Sequence, residues 1–251
     1  MKELKSIDDV IDVLEHIIDE SRENNNPMGY FAALYQKVTI KVKEGIAEGA
    51  FEDGPQMEQL DIVFAKRYLD AYHAYRKNEP VTDSWEKAFD LSEKYWPIVL
   101  QHILIGINAH INLDLGIAAT EISKGKNIDD LKNDFDKIND ILSSLVNQVQ
   151  ENLSEIWPTL KKILVRVGKV DDFLVDFSML IARDGAWQFA VDLASKSIDE
   201  QKSFIKGRDQ KTLKTAKLIT NPGWIASILF AIIRIGERGS VSKKIDTLKA
   251  P

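Results

Sequence analysis

Apolar residues recur at intervals of three and four along almost the whole chain. Ile7, Val10, Ile11 and Leu14 begin the first of these stripes, and this spacing is typical of helices that bury one face. Sustained alternation of apolar and polar residues, which half-buried strands show, is nearly absent, and no Asn-Gly hairpin turn occurs. The pattern predicts an all-α fold, a single-domain multi-helix bundle of about eight to ten helices.

Two segments, residues 98–123 and 171–195, are apolar on nearly every side. A helix without a polar face is normally buried, so these two are predicted to be the central helices of the bundle. No stretch resembles a flexible linker, and residues 1–251 are therefore expected to form one domain. Its core is predicted to span about residues 7–236, with residues 237–251 as a polar tail.

Composition narrows the classes of function. The 251-residue chain has a formal net charge of −6 and contains no cysteine. Disulfides, thiolate metal sites and a cysteine nucleophile are thus excluded, and an acidic chain is a poor partner for nucleic acid. The first residues lack the basic-then-apolar pattern of a secretion signal, so a cytoplasmic location is expected.

The sequence of the C-terminal third is compatible with peripheral binding to a membrane. Basic residues between Lys202 and Lys217 precede the longest apolar run, residues 224–233, a combination found in membrane-surface anchors. The alternative is a solvated connection followed by a core helix. The apolar run is about half of the roughly 18–20 residues that span a bilayer, and no transmembrane segment is predicted.

Polar residues interrupt the first central helix in a regular way. Buried polar groups cost free energy unless they are paired, so this regularity indicates a role. At about 100° per residue, His110 and Asp114 share one edge and Asn108 and Asn112 share another. His102 lies roughly 12 Å further back along the axis, too far to join His110 at one ion.

Three interpretations of this motif are open. In the first, His110 is a general base oriented by Asp114, with Asp61 as a further catalytic carboxylate. A small-molecule ligand would then contact neighbouring polar residues: His102, Asn108, Asn112, Arg67, Tyr68 and Arg183.

In the second interpretation, His110 and Asp114 bind a divalent metal ion, helped by Asp61 or Asp176. In the third, the motif is a structural hydrogen-bond network in a non-enzymatic scaffold or interaction protein, with Asp114 paired to Arg67 or Arg183. No glycine-rich phosphate loop, nucleophile elbow or His-Glu-x-x-His motif is present to decide among them.

The motif also carries a family resemblance. The stretches Asp61-Ile-Val-Phe-Ala-Lys-Arg-Tyr, Leu100-Gln-His-Ile-Leu-Ile-Gly-Ile-Asn-Ala-His-Ile-Asn-Leu-Asp-Leu and Asp134-Phe-Asp-Lys-Ile-Asn-Asp-Ile-Leu are similar to the uncharacterised, mostly bacterial family labelled domain of unknown function 5995. The similarity extends over about residues 27–235, and Asn often stands in that family where this chain has Lys66. The resemblance implies one shared signature: Asp61, Arg67, His102, Asn108, His110, Asn112 and Asp114. It implies no activity.

Overall fold

A computed structural model describes residues 3–158 and 185–250, and the all-α prediction is confirmed, since no β-strand occurs in these ranges. The described residues form eleven α-helices, slightly more than predicted. They are α1 (Ile7–Glu23), α2 (Met28–Ala47), α3 (Gly54–Arg76), α4 (Asp83–Asp90), α5 (Val99–Ala109), α6 (Gly116–Ile122), α7 (Lys132–Ile156), α8 (185–194), α9 (Ile198–Thr220), α10 (Trp224–Gly236) and α11 (Val241–Lys249).

The first predicted central helix is a continuous rod made of α5, a π-helical segment over His110–Leu115, and α6. It packs against α2, α3, α4 and α9. By length and composition the rod could cross a membrane, but 83% of its apolar window is buried inside the protein. That degree of burial is what the core helix of a bundle requires.

Glycine lets a neighbouring helix approach this rod closely. A Cβ atom at Gly106 would lie 2.5 Å from the ring of Phe31 on α2, well inside the contact distance of two carbon atoms. Phe31 in turn contacts His110 and Tyr68, with ring centroids 5.8 Å and 5.1 Å away. Gly106 therefore sets the spacing of the aromatic layer that surrounds the centre of the rod.

Gly106→Ala is expected to lower the free energy of unfolding by about 1–3 kcal/mol, because the added methyl group forces the Phe31 ring out of its position. Gly207→Ala is the matched control, since Gly207 lies in α9 with no atom within 4 Å of an added Cβ. The control is expected to raise stability by up to about 1 kcal/mol through helix propensity. Urea unfolding measures both, and equal changes of the same sign would contradict the packing described.

Two buried aspartates fix the helices that face the rod. Asp209 on α9 accepts hydrogen bonds from the backbone N–H groups of residues 83 and 84, at 2.8 and 3.0 Å, and so caps α4. Asp134 on α7 accepts from the N–H groups of residues 52 and 53, at 2.7 and 2.9 Å, just before α3. Each carboxylate satisfies donors at a helix start that the helix itself leaves free.

Residues 237–251, predicted to be a polar tail, are packed against the helices in the part that the structure describes. Most of this segment forms α11, whose Ile245 and Leu248 are buried against α1 and α2. Lys244 is also buried, and its ammonium group lies 2.8 Å from the carboxylate of Glu237. Pairing makes the burial of this charge tolerable, and a residue that reads as polar in the sequence thus faces the interior.

The core helix in the alternative for the C-terminal third, residues 224–233, is wrong, and the solvated connection before it, residues 202–217, is helical with several exposed lysines. The basic stretch is helix α9, which packs on α4 and α5 through its buried residues, among them Thr212 and Ala216. The apolar run is helix α10, and most of its large side chains are exposed.

The second predicted central helix, residues 171–195, lies mostly outside the described residues. Its described part, α8, buries Ala186, Phe189, Ala190 and Leu193, and Phe189 and Leu193 pack with Leu113 and Ile117 of the rod. The central position of the whole segment stays a prediction.

Candidate functional site

The central rod changes geometry where its polar residues are concentrated. Residues His110–Leu115 form a π-helix between α5 and α6, and π-helical turns are rare features that occur frequently at functional sites. The segment contains three of the polar residues of the motif, His110, Asn112 and Asp114. The sequence predicted a continuous helix here but not this local widening.

Asp114 is the centre of the site. Its side chain is 1% exposed and accepts three hydrogen bonds from three different elements. Oδ1 accepts from Nε of Arg67 on α3 at 2.8 Å. Oδ2 accepts from the indole N–H of Trp85 on α4 at 2.8 Å, and lies 3.2 Å from Nδ1 of His110. Both oxygens of the buried carboxylate therefore accept hydrogen bonds.

His110 faces Asp114 with one ring nitrogen, and no described residue bonds to the other. Because Asp114 is an acceptor, the hydrogen bond assigns the proton to Nδ1 and a lone pair to Nε2. Nε2 is buried and has no hydrogen-bond partner among the described residues. The ring stacks on Phe64, with centroids 3.6 Å apart, and meets the ring of Tyr35 edge-on at 4.5 Å.

The environment keeps Asp114 ionised and His110 neutral. Burial by itself raises the pKa of Asp114, but the hydrogen bond from His110 and the charge of Arg67 together outweigh it and lower the pKa. Burial lowers the pKa of His110, and it outweighs the opposing effect of Asp114. At neutral pH the pair is a carboxylate and a neutral imidazole, hereafter the His110–Asp114 dyad.

Asp61 lies on the same side of the rod without bonding to the dyad. It is buried on α3, and burial, assisted by the charge of Glu58, raises its pKa to about 7. Its Oδ2 atom has no hydrogen-bond partner among the described residues. Burial, and next the charge of Asp61, raise the pKa of Tyr35, so these groups lie within electrostatic reach of one another.

Asp61→Asn is expected to change how stability depends on pH. The folded protein holds the proton of Asp61 up to a pKa of about 7, whereas the unfolded chain releases it near pH 4. The folded state therefore binds more protons between these values, and stability falls as the pH rises. Between about pH 4 and about pH 7, the free energy of unfolding of the wild type falls by up to about 1.4 kcal/mol per pH unit relative to that of the variant. Above about pH 7 the difference between the two proteins stays constant. Urea unfolding across this range measures the difference, and parallel pH profiles would contradict the raised pKa.

Asn108 and Asn112 link the rod to α9 by hydrogen bonds. Asn112 donates from Nδ2 to Oδ1 of Asn108 at 3.1 Å, and Asn108 donates to the backbone carbonyl of Thr212 at 3.0 Å. Arg208 on α9 donates to the carbonyl of Asn112 at 2.6 Å. These hydrogen bonds attach α9 to the side of the rod on which Asn108 and Asn112 lie.

His102 lies in a separate environment from His110. Its ring is buried and meets Tyr30 edge-on at 5.6 Å, and burial lowers its pKa to about 3. It borders a cavity of about 20 Å³ that Tyr68 and Trp85 also line, with room for a single water molecule. The hydroxyl group of Tyr68 is buried with no partner among the described residues.

Among the described residues, no group of three or more His, Asp or Glu side chains lies together that could hold a metal ion. Both oxygens of Asp114 already accept hydrogen bonds, and Nδ1 of His110 is the donor of one of these bonds. Binding of a metal ion by His110 and Asp114 stays a prediction. Asp176 and Arg183 lie outside the described residues.

Two residues of the site, Trp85 and Phe64, were not predicted. Trp85 is 2% exposed, as expected of a core aromatic, yet it also donates to Asp114. The available signal was chemical, because a buried indole N–H needs an acceptor and Asp114 is a buried acceptor. Phe64 carried no such signal, since an apolar ring on a helix predicts only packing.

Comparison with known proteins places these residues in a family. The family model described as "Family of unknown function (DUF5995)" matches residues 7–222. The match covers the dyad and the helices that carry Arg67 and Trp85, and it ends before α10. No curated protein and no solved structure matches the chain. As the resemblance of its motif indicated, the chain belongs to this family of unknown function, DUF5995.

Proposed function

We propose that this protein is an enzyme that moves a proton on a small molecule, with His110 as the general base. The observation that carries the proposal is Nε2 of His110, which has no hydrogen-bond partner among the described residues, while Nδ1 of the same ring is hydrogen-bonded to Asp114. A buried acceptor without a partner costs about 1–3 kcal/mol, so a functional role is one reason to retain it. An imidazole held by a carboxylate with its far lone pair free is the arrangement of a general base.

Each neighbour has a defined role in this proposal. Asp114 fixes the tautomer of His110 and stabilises the imidazolium that forms when Nε2 takes a proton. Arg67 and Trp85 hold Asp114 in place and keep it ionised. Asp61, whose pKa is about 7, is the group suited to return a proton, because it is partly protonated at neutral pH.

Two partly exposed side chains on α3 lie between the dyad and solvent. Phe64 covers the His110 ring, and the side chain of Arg67 is 29% exposed. Only Nε of Arg67 is engaged; its two amino nitrogens bond to no side chain among the described residues. A guanidinium with free donors suits a carboxylate. The proposed substrate class is therefore a small carbonyl compound that bears a carboxylate, admitted when the Phe64 ring turns away.

One observation favours a second candidate, a non-enzymatic scaffold in which the motif is structural. Asp114 joins α3, α4 and the rod through three hydrogen bonds and is almost fully buried. Such a junction stabilises helix packing without any chemistry. The two candidates differ in one measurable property, because only the enzyme turns over a compound.

Deuterium exchange tests the proposal. The protein is incubated in D₂O with 2-oxo acids, amino acids and carboxylate-bearing esters, and mass spectrometry follows deuterium uptake and ester cleavage. We expect the wild type to label or cleave at least one compound class, and the His110→Gln variant to lose that activity while staying folded. Identical product profiles for the wild type, a folded His110→Gln variant and buffer would support the scaffold instead.

A further inference from the structure

The outer face of α10 is apolar and open to solvent. At about 100° per residue, four of its large side chains fall within about 80° of one another. They are Trp224, Ile228, Ile232 and Ile235, which are 76%, 55%, 58% and 78% exposed. The opposite face attaches the helix to the protein, since Ile233 is buried against Ile98 and Trp157. The helix is thus fixed in place with its apolar stripe outward.

Two exposed aromatic residues extend this stripe. Tyr95 is 71% exposed and Trp96 is 59% exposed. Arg234 on α10 donates to the carbonyl oxygen of Tyr95 at 2.7 Å, and its guanidinium lies 4.8 Å from the Tyr95 ring centroid. The aromatic pair is therefore held beside α10. Tryptophan and tyrosine are the residues that concentrate at membrane–water interfaces.

A cleft of about 560 Å³ opens beside the aromatic pair. Its apolar lining includes Pro97 and Phe230, and Lys87 and Lys94 stand among its polar residues. An apolar cleft with ammonium groups suits an acyl chain with an anionic head.

The helix that leads into α10 has a charge opposite in sign to that of the whole chain. The protein has a net charge of −6, but α9, which leads into α10, carries six basic and three acidic residues. Lys211, Lys214 and Lys217 of α9 are exposed, as is Arg238 just after α10. Three exposed acids, Glu86, Asp90 and Glu93, precede the aromatic pair in the chain. Cations beside an apolar stripe match an anionic lipid surface.

We propose that the lipid face, defined as Trp224, Ile228, Ile232 and Ile235 of α10 with Tyr95 and Trp96, docks this protein on an anionic bilayer. The isoleucines enter the boundary between headgroups and acyl chains, the aromatic rings lie at headgroup level, and the lysines contact the headgroups. The face lies on the C-terminal side of the family match except for Tyr95 and Trp96. Its role does not depend on the His110–Asp114 dyad.

Vesicle co-sedimentation of the full chain tests this inference. We expect binding to phosphatidylcholine vesicles that contain phosphatidylglycerol, weaker binding to pure phosphatidylcholine, and loss of binding at high salt. The double variant Ile232→Asp/Ile235→Asp is expected to bind at least about ten-fold more weakly. Ile198→Asp is the matched control, because Ile198 is 79% exposed on α9 outside the face, and its binding should equal that of the wild type. A blue shift of tryptophan fluorescence on binding should shrink in Trp224→Phe.

Three results would overturn the inference. The first is a wild type that binds neither kind of vesicle at low salt. The second is a double variant, folded by circular dichroism, that binds as tightly as the wild type. The third is a wild type that is a dimer in analytical ultracentrifugation and a double variant that is a monomer. The face would then be the contact between two copies of this chain.

Discussion

Asp114→Ala is expected to lower the free energy of unfolding by about 3–5 kcal/mol. The substitution removes the acceptor for the indole N–H of Trp85 and for the Nδ1–H of His110, both of which are buried. It also deprives the guanidinium of Arg67 of its carboxylate. Because water does not replace a lost acceptor in a packed interior, each donor keeps its desolvation penalty and loses its bond.

Asp70→Ala is the control for this substitution. Asp70 lies on α3 and pairs with Lys66 at the surface, where the two side chains are 46% and 57% exposed. Its removal is expected to change stability by no more than about 0.5 kcal/mol. Urea unfolding of the wild type and both variants gives the comparison. A loss for Asp114→Ala as small as that for Asp70→Ala would mean that Asp114 is not the junction of the three helices.

His110→Gln is expected to reduce proton transfer on the substrate about 10²–10⁴-fold, the usual contribution of a positioned general base. That factor corresponds to roughly 3–5 kcal/mol in the activation barrier. Glutamine keeps a polar group that can donate to Asp114 but has no group that accepts and releases a proton near neutral pH. The expected loss is therefore chemical, with the local packing largely kept.

The control for His110→Gln is His16→Gln. His16 is exposed on α1 and far along the chain from the dyad, so this variant should retain the full rate of deuterium uptake. Melting temperatures of both variants show whether the fold is intact. A folded His110→Gln variant that keeps the wild-type rate would show that His110 is not the general base.

The sequence was sufficient for the parts of the site that depend on helical spacing. The i, i+4 relation of His110 and Asp114, and that of Asn108 and Asn112, follows from one turn of a helix, and both pairs are hydrogen-bonded. The pairing of Asp114 with Arg67 was one of two named possibilities, because a buried carboxylate needs a cation or several donors.

The sequence was not sufficient where geometry depends on other helices. The π-helical turn at His110–Leu115 spans too few residues to alter the apolar periodicity, so no pattern revealed it. The donor Trp85 lies on α4, and the position of α4 depends on other helices, among them α9, whose Asp209 caps it. The exposure of α10 depends on which of its faces finds a neighbour, and composition alone made it resemble a core helix.

The direct measurement of the dyad is ¹⁵N NMR of the histidine ring nitrogens, with the signals of His110 assigned through His110→Gln. We expect a neutral ring protonated at Nδ1, with Nε2 as a bare acceptor, and a chemical shift that stays constant as the pH falls through the ordinary histidine pKa of about 6.5. That result follows from the bond to Asp114 and from the lowered pKa of His110. A ring protonated at Nε2, or one that titrates near pH 6.5, would contradict the general-base assignment.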